Sequence, residues 1–187
     1  KDFYSEIHPE MDCSWPKWPE LLAKKLNWDY VNLAKSGSGN EYIYTSLLNY
    51  ITQTDRGRIG LVIPAWTQCQ RKDYQQGHTG RWTNARIDPN GDVFGWMTKS
   101  LNYYLSFQIL CEHYNLDYRH AQMLSPYQDW INGLRPRDLD TSYPPGFRHK
   151  YPGENKEKDT KTIMNIIDTY ESRINTKKFI GWPLSAG

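Results

Sequence analysis

The sequence of 187 residues lacks the features that mark membrane, secreted and nucleic-acid-binding proteins. No apolar run approaches the roughly 20 residues that are needed to span a bilayer. The first eight residues contain two acidic side chains and no apolar stretch typical of a signal peptide. The formal net charge of +2 is too small to indicate nucleic-acid binding by electrostatic attraction. We therefore expect neither a membrane nor a nucleic acid among the partners of this chain.

Cysteine is also scarce. Cys13, Cys69 and Cys111 are widely spaced, and none of them belongs to a C-x-x-C pair. An odd number of cysteines at such spacing argues against a disulfide framework and against a zinc site. The Gly-Lys-Ser/Thr of a P-loop and the G-x-S-x-G of a nucleophile elbow are missing as well. We expect a reducing compartment, no metal ion and no cofactor.

What the sequence does contain is an alternation of helical and strand-like segments. Apolar periodicity predicts helices over 19–26, 41–54, 96–114 and 159–174, and strands over 30–34, 58–66, 116–124 and 178–184. The polar segments 70–95 and 125–150 are predicted loops. The uninterrupted apolar character of 58–66 indicates a strand that is covered on both faces, as in a parallel sheet. This order predicts a single α/β domain over 1–187, three-layered with a mainly parallel sheet.

A small-residue loop joins the first predicted strand to the second helix. Residues 35–39 can bend tightly, and Asn40 is predicted to be the N-cap of the helix. Such a loop exposes backbone N–H groups that can hold an anion or a developing oxyanion. Ser36 and Asn40 are therefore candidate substrate-binding residues. A phosphate cradle, an oxyanion hole and a simple turn all fit this pattern.

Polar residues follow the second predicted strand at its carboxyl end, the edge where parallel sheets bind ligands. Thr67 and Gln68 could donate hydrogen bonds to a substrate, and Arg71 could bind a carboxylate or a phosphate. The alternative is a capped strand end with solvated side chains. His78, in the glycine-rich part of the predicted loop, is the histidine best placed for an active site, although a surface loop is the simpler interpretation.

Asp117 and His120 have the Asp-x-x-His spacing of some catalytic pairs. They fall on a predicted strand, however, where residues three apart point to opposite faces. We therefore interpret this spacing as a coincidence.

Two segments together resemble the SGNH (GDSL-type) hydrolase family, and most closely its variants in bacteriophages and marine microbes. They are 32–40 (Asn-Leu-Ala-Lys-Ser-Gly-Ser-Gly-Asn) and 62–68 (Val-Ile-Pro-Ala-Trp-Thr-Gln). The resemblance implies a flavodoxin-like α/β/α fold and a serine esterase or acyl hydrolase that acts on a small-molecule, lipid or carbohydrate ester. It also implies that Gly37 donates its N–H to the oxyanion hole and that Gln68 stands where the family has an asparagine donor.

The catalytic triad of that family has no counterpart here. Its Gly-Asp-Ser block would precede Lys1, its Asp-x-x-His block would follow Leu184, and Ser5 lacks the apolar strand and the Gly-Asp that should come before it. We expect a partial hydrolase that is inactive by itself, in the cytoplasm or in a virion. The alternative is a non-catalytic α/β module that binds carbohydrate or builds a virion. A neighbouring chain could supply a missing edge strand, which would make a homo-oligomer.

Overall fold

The computed structural model describes residues 17–85, 88, 90–123 and 156–182. The chain divides into two units, and the boundary falls between Leu33 and Ala34. The first unit contains helix α1, Trp18–Leu26, which confirms the helix predicted over 19–26. Pro19 lies in its first turn, where the missing N–H costs no hydrogen bond. Asn27 ends the helix in the left-handed conformation, with a φ of 55°.

The strand predicted over 30–34 is wrong. This segment has no strand assignment, and no described strand pairs with it. Tyr30 is aromatic and Val31 is β-branched, and such residues favour strands because their side chains pack well against a neighbouring strand. Without such a neighbour in the described part of the chain, the preference does not produce a strand.

Among its described residues, the second unit contains three further α-helices, all of them predicted. They are α2 (Asn40–Gln53), α3 (Val93–His113) and α4 (Lys156–Glu171). Helix α3 begins three residues before its predicted start because Asp92 caps it: the Asp92 Oδ1 accepts a hydrogen bond from the Gly95 N–H at 2.8 Å. Helix α3 packs against both α2 and α4 and carries much of the core. No helix of the described residues is long and apolar enough to cross a membrane.

Three short parallel strands form the main sheet. They are β1 (Ala65–Trp66), β4 (His120–Gln122) and β5 (Phe179–Ile180), in the order β1–β4–β5. Ala65 pairs with Ala121, His120 pairs with Phe179, and a bridge between Val62 and Tyr118 extends the first pairing. The three strands predicted over 58–66, 116–124 and 178–184 are therefore confirmed, although each is shorter than predicted. Residues 56–58 form a 3₁₀ turn instead of the start of β1. The protein is thus mixed α/β with a parallel sheet.

The prediction of a loop over 70–95 is wrong. The strands β2 (Lys72–Gln76) and β3 (Arg81–Ala85) form an antiparallel hairpin in this segment. Its turn contains Gly80 at a φ of 64°, a conformation that glycine adopts without strain. Most of the hairpin side chains are polar and exposed, so the strands lack the apolar signal that identifies buried strands. The loop predicted over 125–150 lies outside the described residues.

Candidate functional site

The loop before α2 turns as predicted. The Ser38 N–H donates to the Lys35 carbonyl at 3.2 Å, and Gly37 has a φ of 78°, in the left-handed region that favours glycine. Ser36 and Gly37 are exposed, whereas Ser38, Gly39 and Asn40 are buried. The loop therefore has an exposed half and a half that is built into the protein.

Asn40 does not cap the helix, so that prediction is wrong. The N-cap is Gly39, and Asn40 is the first helical residue. Its side chain instead reaches the residue after β1: the Thr67 N–H donates to the Asn40 Oδ1 at 2.9 Å, and the Asn40 Nδ2 donates to the Thr67 carbonyl at 3.2 Å. The same Nδ2 donates to the Ser100 Oγ on α3 at 3.0 Å. Asn40 therefore fastens the loop to the carboxyl end of the sheet.

Asp73, at the start of the hairpin, caps α2 from a distance in sequence. Its carboxylate accepts the Gly39 N–H at 2.8 and 3.1 Å and the Tyr42 N–H at 2.8 Å. Asp73 is 2% exposed. Sequence reasoning missed this residue, because a lone acid 34 positions after the loop leaves no local pattern. The only sequence signal for Asp73 is that an acidic residue stands in a segment whose side chains alternate between the two faces of a strand.

Gly37 and Gln68 carry the two donors that the family resemblance predicts for the oxyanion hole. Among the described residues, neither the Gly37 N–H nor the Gln68 side chain has a hydrogen-bond partner. Gln68 is half-buried and directly follows Thr67, whose own N–H and carbonyl are both bonded to Asn40. The Asn40–Thr67 contact thus brings the two predicted segments together and leaves one potential donor on each.

The hairpin lies against the loop. Asp73 pairs with Asn84, and Gln75 pairs with Trp82, so that these side chains share one face. The Trp82 ring contacts the Tyr42 ring edge-on at 5.4 Å, and the Lys35 amine donates to the Trp82 carbonyl. A Cβ on Gly37 would lie 3.3 Å from the Asn84 Nδ2. One face of the hairpin therefore covers the loop.

Two basic residues at the base of the hairpin are held by the loop and by α2. The Arg71 Nη1 donates to the Ser38 carbonyl at 3.3 Å. Lys72 forms an ion pair with Glu41 at 2.8 Å, and the hydrogen bond of this pair raises the pKa of Lys72. Arg71 therefore lies beside the loop, and one of its N–H groups is bonded to protein.

His78 is exposed in the turn of the hairpin. Three strand residues, or about 10 Å of extended chain, separate that turn from Asp73. The structure therefore places His78 away from the groups that meet around Asn40. Ser5 and Cys13 lie outside the described residues.

Asp117 lies before β4 and His120 is the first residue of β4, and the two side chains differ in burial. Asp117 is exposed and His120 is completely buried. The Trp66 Nε1–H donates to the His120 Nδ1 at 2.9 Å, which fixes the proton of the neutral ring on Nε2. Burial lowers the pKa of His120 to about 3. His120 is therefore neutral at physiological pH and belongs to the core.

Aromatic rings enclose His120. It is stacked on Phe179 at 4.7 Å and meets Phe107 and Tyr118 edge-on at 5.3 and 5.5 Å. Its Nε2 has no hydrogen-bond partner in the described part of the chain. The π face of a ring can act as a weak acceptor for such an N–H. The surroundings of the His120 Nε2 are thus those of an aromatic core.

No group of three His, Cys, Asp or Glu side chains that could hold a metal ion occurs within 17–85, 88, 90–123 and 156–182. Cys69 and Cys111 are buried, and neither forms a disulfide with a described residue. Burial raises the pKa of the Cys111 thiol to about 12, so it is not a nucleophile at neutral pH.

Comparison with known proteins found no matching family model, no matching curated protein and no matching solved structure.

Proposed function

We propose that this chain carries the oxyanion side of an SGNH-type serine ester hydrolase with a flavodoxin-like α/β/α fold. The observation that carries this proposal is the pair of hydrogen bonds between the Asn40 side chain and the Thr67 backbone. They join the two segments that resemble the family, at the carboxyl edge of a parallel sheet, where α/β proteins bind their ligands.

The proposed chemistry is acyl transfer. When a serine hydroxyl attacks an ester carbonyl, the carbonyl oxygen becomes negatively charged, and donors aimed at that position lower the barrier. The Gly37 N–H and the Gln68 Nε2 are assigned this task because both lack a partner among the described residues. Ser36, Thr67 and Arg71 are assigned to the surroundings of the substrate. We assign no nucleophile, base or orienting acid among the described residues.

The first test uses the natural reading frame that contains this sequence. A Gly-Asp-Ser after an apolar strand upstream, together with an Asp-x-x-His downstream, supports the hydrolase. A frame without these blocks favours the non-catalytic α/β module instead.

The second test measures hydrolysis of p-nitrophenyl acetate by the protein expressed from that frame. Loss of one oxyanion donor typically lowers kcat by roughly 100-fold or more. We therefore expect a loss of this order in Q68A, whereas Q53A, which removes an exposed glutamine at the last residue of α2, keeps the activity. G37A forces a side chain into a left-handed position and should also lose activity; G77A, where a Cβ meets no atom within 4 Å, should not.

Fluorophosphonate labelling followed by peptide mapping locates the nucleophile. Labelling at Ser5 would contradict our assignment of the nucleophile to another position. Full activity in both Q68A and G37A would contradict the proposed oxyanion donors. A protein that neither hydrolyses the ester nor becomes labelled would point to the binding or virion module.

A further inference from the structure

Gln122, the last residue of β4, is a buried side chain that the proposed function does not use. It is 1% exposed, and neither its Nε2 nor its Oε1 has a hydrogen-bond partner among the described residues. Buried amides are normally paired, because an amide that loses water without gaining another partner costs free energy. Gln122 therefore requires a partner that the described part of the chain does not supply.

Gln122 lies at the carboxyl end of the sheet, next to the candidate site. It is paired in register with Trp66, and the Met123 N–H donates to the Trp66 carbonyl at 2.9 Å. Thr67 and Gln68 follow Trp66 directly, and neighbouring strands lie about 4.8 Å apart. Gln68 is half-buried and Met123 is 59% exposed, so both strand ends reach solvent close to the buried amide.

The neighbouring strand β5 is followed by a second unpartnered donor. Trp182 is half-buried, and its Nε1–H is buried without a hydrogen-bond partner in the described ranges. Ala121 pairs with Ile180, so Gln122 and Trp182 follow at the same end of two adjacent parallel strands. An amide carries two N–H donors and one oxygen acceptor, and an indole carries one N–H donor. The ends of β4 and β5 thus leave three N–H bonds and one amide oxygen unpaired.

The chemistry of these groups selects an uncharged ligand that both donates and accepts hydrogen bonds. A carboxylate only accepts, so it would leave the Gln122 Oε1 unpaired beside a negative charge. A hydrocarbon chain would leave all of these groups unpaired. The π face of an aromatic ring can receive an N–H, but it cannot donate to the Oε1. Neighbouring hydroxyl groups satisfy both residues, because each hydroxyl is a donor and an acceptor.

We propose that Gln122 and Trp182 bind hydroxyl groups on the alcohol part of the ester, as in an acylated sugar or an acylated glycerol. This inference rests on the proposed function, because it takes these hydroxyl groups to belong to the ester assigned to that site. Gln68 at the end of β1 then donates to the carbonyl oxygen, and the ends of β4 and β5 hold the alcohol. A site built to bond a hydroxyl group rejects an analogue without one, because its buried polar groups then stay unpaired.

The test is a titration of the ¹⁵N-labelled chain, followed through the side-chain amide signals of Gln122 and the indole N–H signal of Trp182. Q122L and W182F identify these signals, because each variant loses its own. The probes are 6-O-acetylglucose, glyceryl monoacetate and propyl acetate, which has the acetyl ester and the three-carbon chain of glyceryl monoacetate without its hydroxyl groups. We expect a hydroxylated ester to shift both sets of signals at a concentration at which propyl acetate shifts neither. The ester that does so distinguishes a sugar from a glycerol source.

Q122L replaces the amide by an apolar side chain of similar size. We expect it to bind the hydroxylated ester roughly tenfold more weakly, which corresponds to the loss of about one buried hydrogen bond. Without ester, Q122L should resist urea at least as well as the unmodified chain, because it breaks no hydrogen bond to a described residue. This second readout separates a ligand-binding amide from one that supports the fold.

Q108L is the matched control, because Gln108 is a buried glutamine whose amide is paired. Its Nε2 donates to the Arg173 carbonyl at 3.2 Å, and its Oε1 accepts the Asn175 N–H at 2.7 Å. We expect Q108L to unfold at a lower urea concentration than the unmodified chain, since both backbone groups lose their partner. While folded, it should bind the hydroxylated ester as the unmodified chain does.

The outcomes separate this inference from the proposed function. Equal shifts with all three esters overturn the role of Gln122, and so does the absence of any shift, in which case buried water is the partner of the amide. A Q122L variant that binds the ester undiminished, or that unfolds at a lower urea concentration, overturns it as well. The titration requires no turnover, so missing esterase activity in the presence of these shifts counts against the proposed function alone.

Discussion

The Asn40–Thr67 contact allows a quantitative prediction about how the site is held together. Replacing Asn40 by alanine leaves three partners without their hydrogen bonds: the Thr67 N–H, the Thr67 carbonyl and the Ser100 Oγ. All three groups belong to buried residues, so water does not readily replace the amide. At about 1 kcal/mol for each bond, N40A should lose about 3 kcal/mol of the free energy of unfolding.

The assay is urea denaturation followed by circular dichroism, with N49A as the control. Asn49 is exposed on the same helix, and its side chain makes no hydrogen bond with the described residues. We expect N49A to remain within about 0.5 kcal/mol of the unmodified chain, with a small gain from the helix propensity of alanine. For a chain of this size, 3 kcal/mol corresponds to a Tm lower by roughly 6–12 °C. If N40A and N49A unfold at the same urea concentration, Asn40 does not fasten the loop to the sheet.

Two further predictions concern buried titratable groups. The pKa of His120 falls from 6.5 to about 3 on folding, so between these pH values the unfolded chain binds a proton that the folded chain does not. The free energy of unfolding therefore keeps its full value above about pH 6.5 and is lower by about 2 kcal/mol at pH 5. Urea melts at pH 7.5 and 5 measure this loss, and an equal loss in H120Q would show that another group causes it. Since burial raises the pKa of Cys111 to about 12, iodoacetamide should modify this thiol only in the unfolded chain; peptide mass spectrometry checks this, and rapid modification of the native chain would contradict it.

The elements that the sequence predicted correctly are those whose apolar pattern is local. Helix α3 carries buried side chains at helical spacing, and the uninterrupted apolar residues before Trp66 gave the position of β1. The hairpin was missed because its strands expose most of their side chains. The segment 30–34 was assigned wrongly because strand propensity depends on a neighbouring strand, which local sequence does not reveal.

For the candidate site, the sequence predicted which segments of the chain take part but not the contacts between them. The sequence located the loop at 35–40 and the carboxyl end of β1, and the structure brings these two segments together through Asn40. The sequence predicted that Asn40 caps its own helix, because N-cap preference is a local rule. The actual partner of Asn40 is Thr67, which is 27 residues away. Asp73 was missed for the same reason. Hydrogen bonds between distant segments depend on the fold, which no window of sequence contains.

The distances in sequence between the partners of Asn40 and Asp73 also have a consequence for how the chain folds. The loop depends on bonds to groups 27, 34 and 60 residues away. Contacts that close long loops form slowly because the entropy of closing them is lost before they stabilise the chain. We therefore expect the loop to become protected from hydrogen exchange only after β1, the hairpin and α3 have docked. The same dependence makes it an early segment to open when the hairpin detaches.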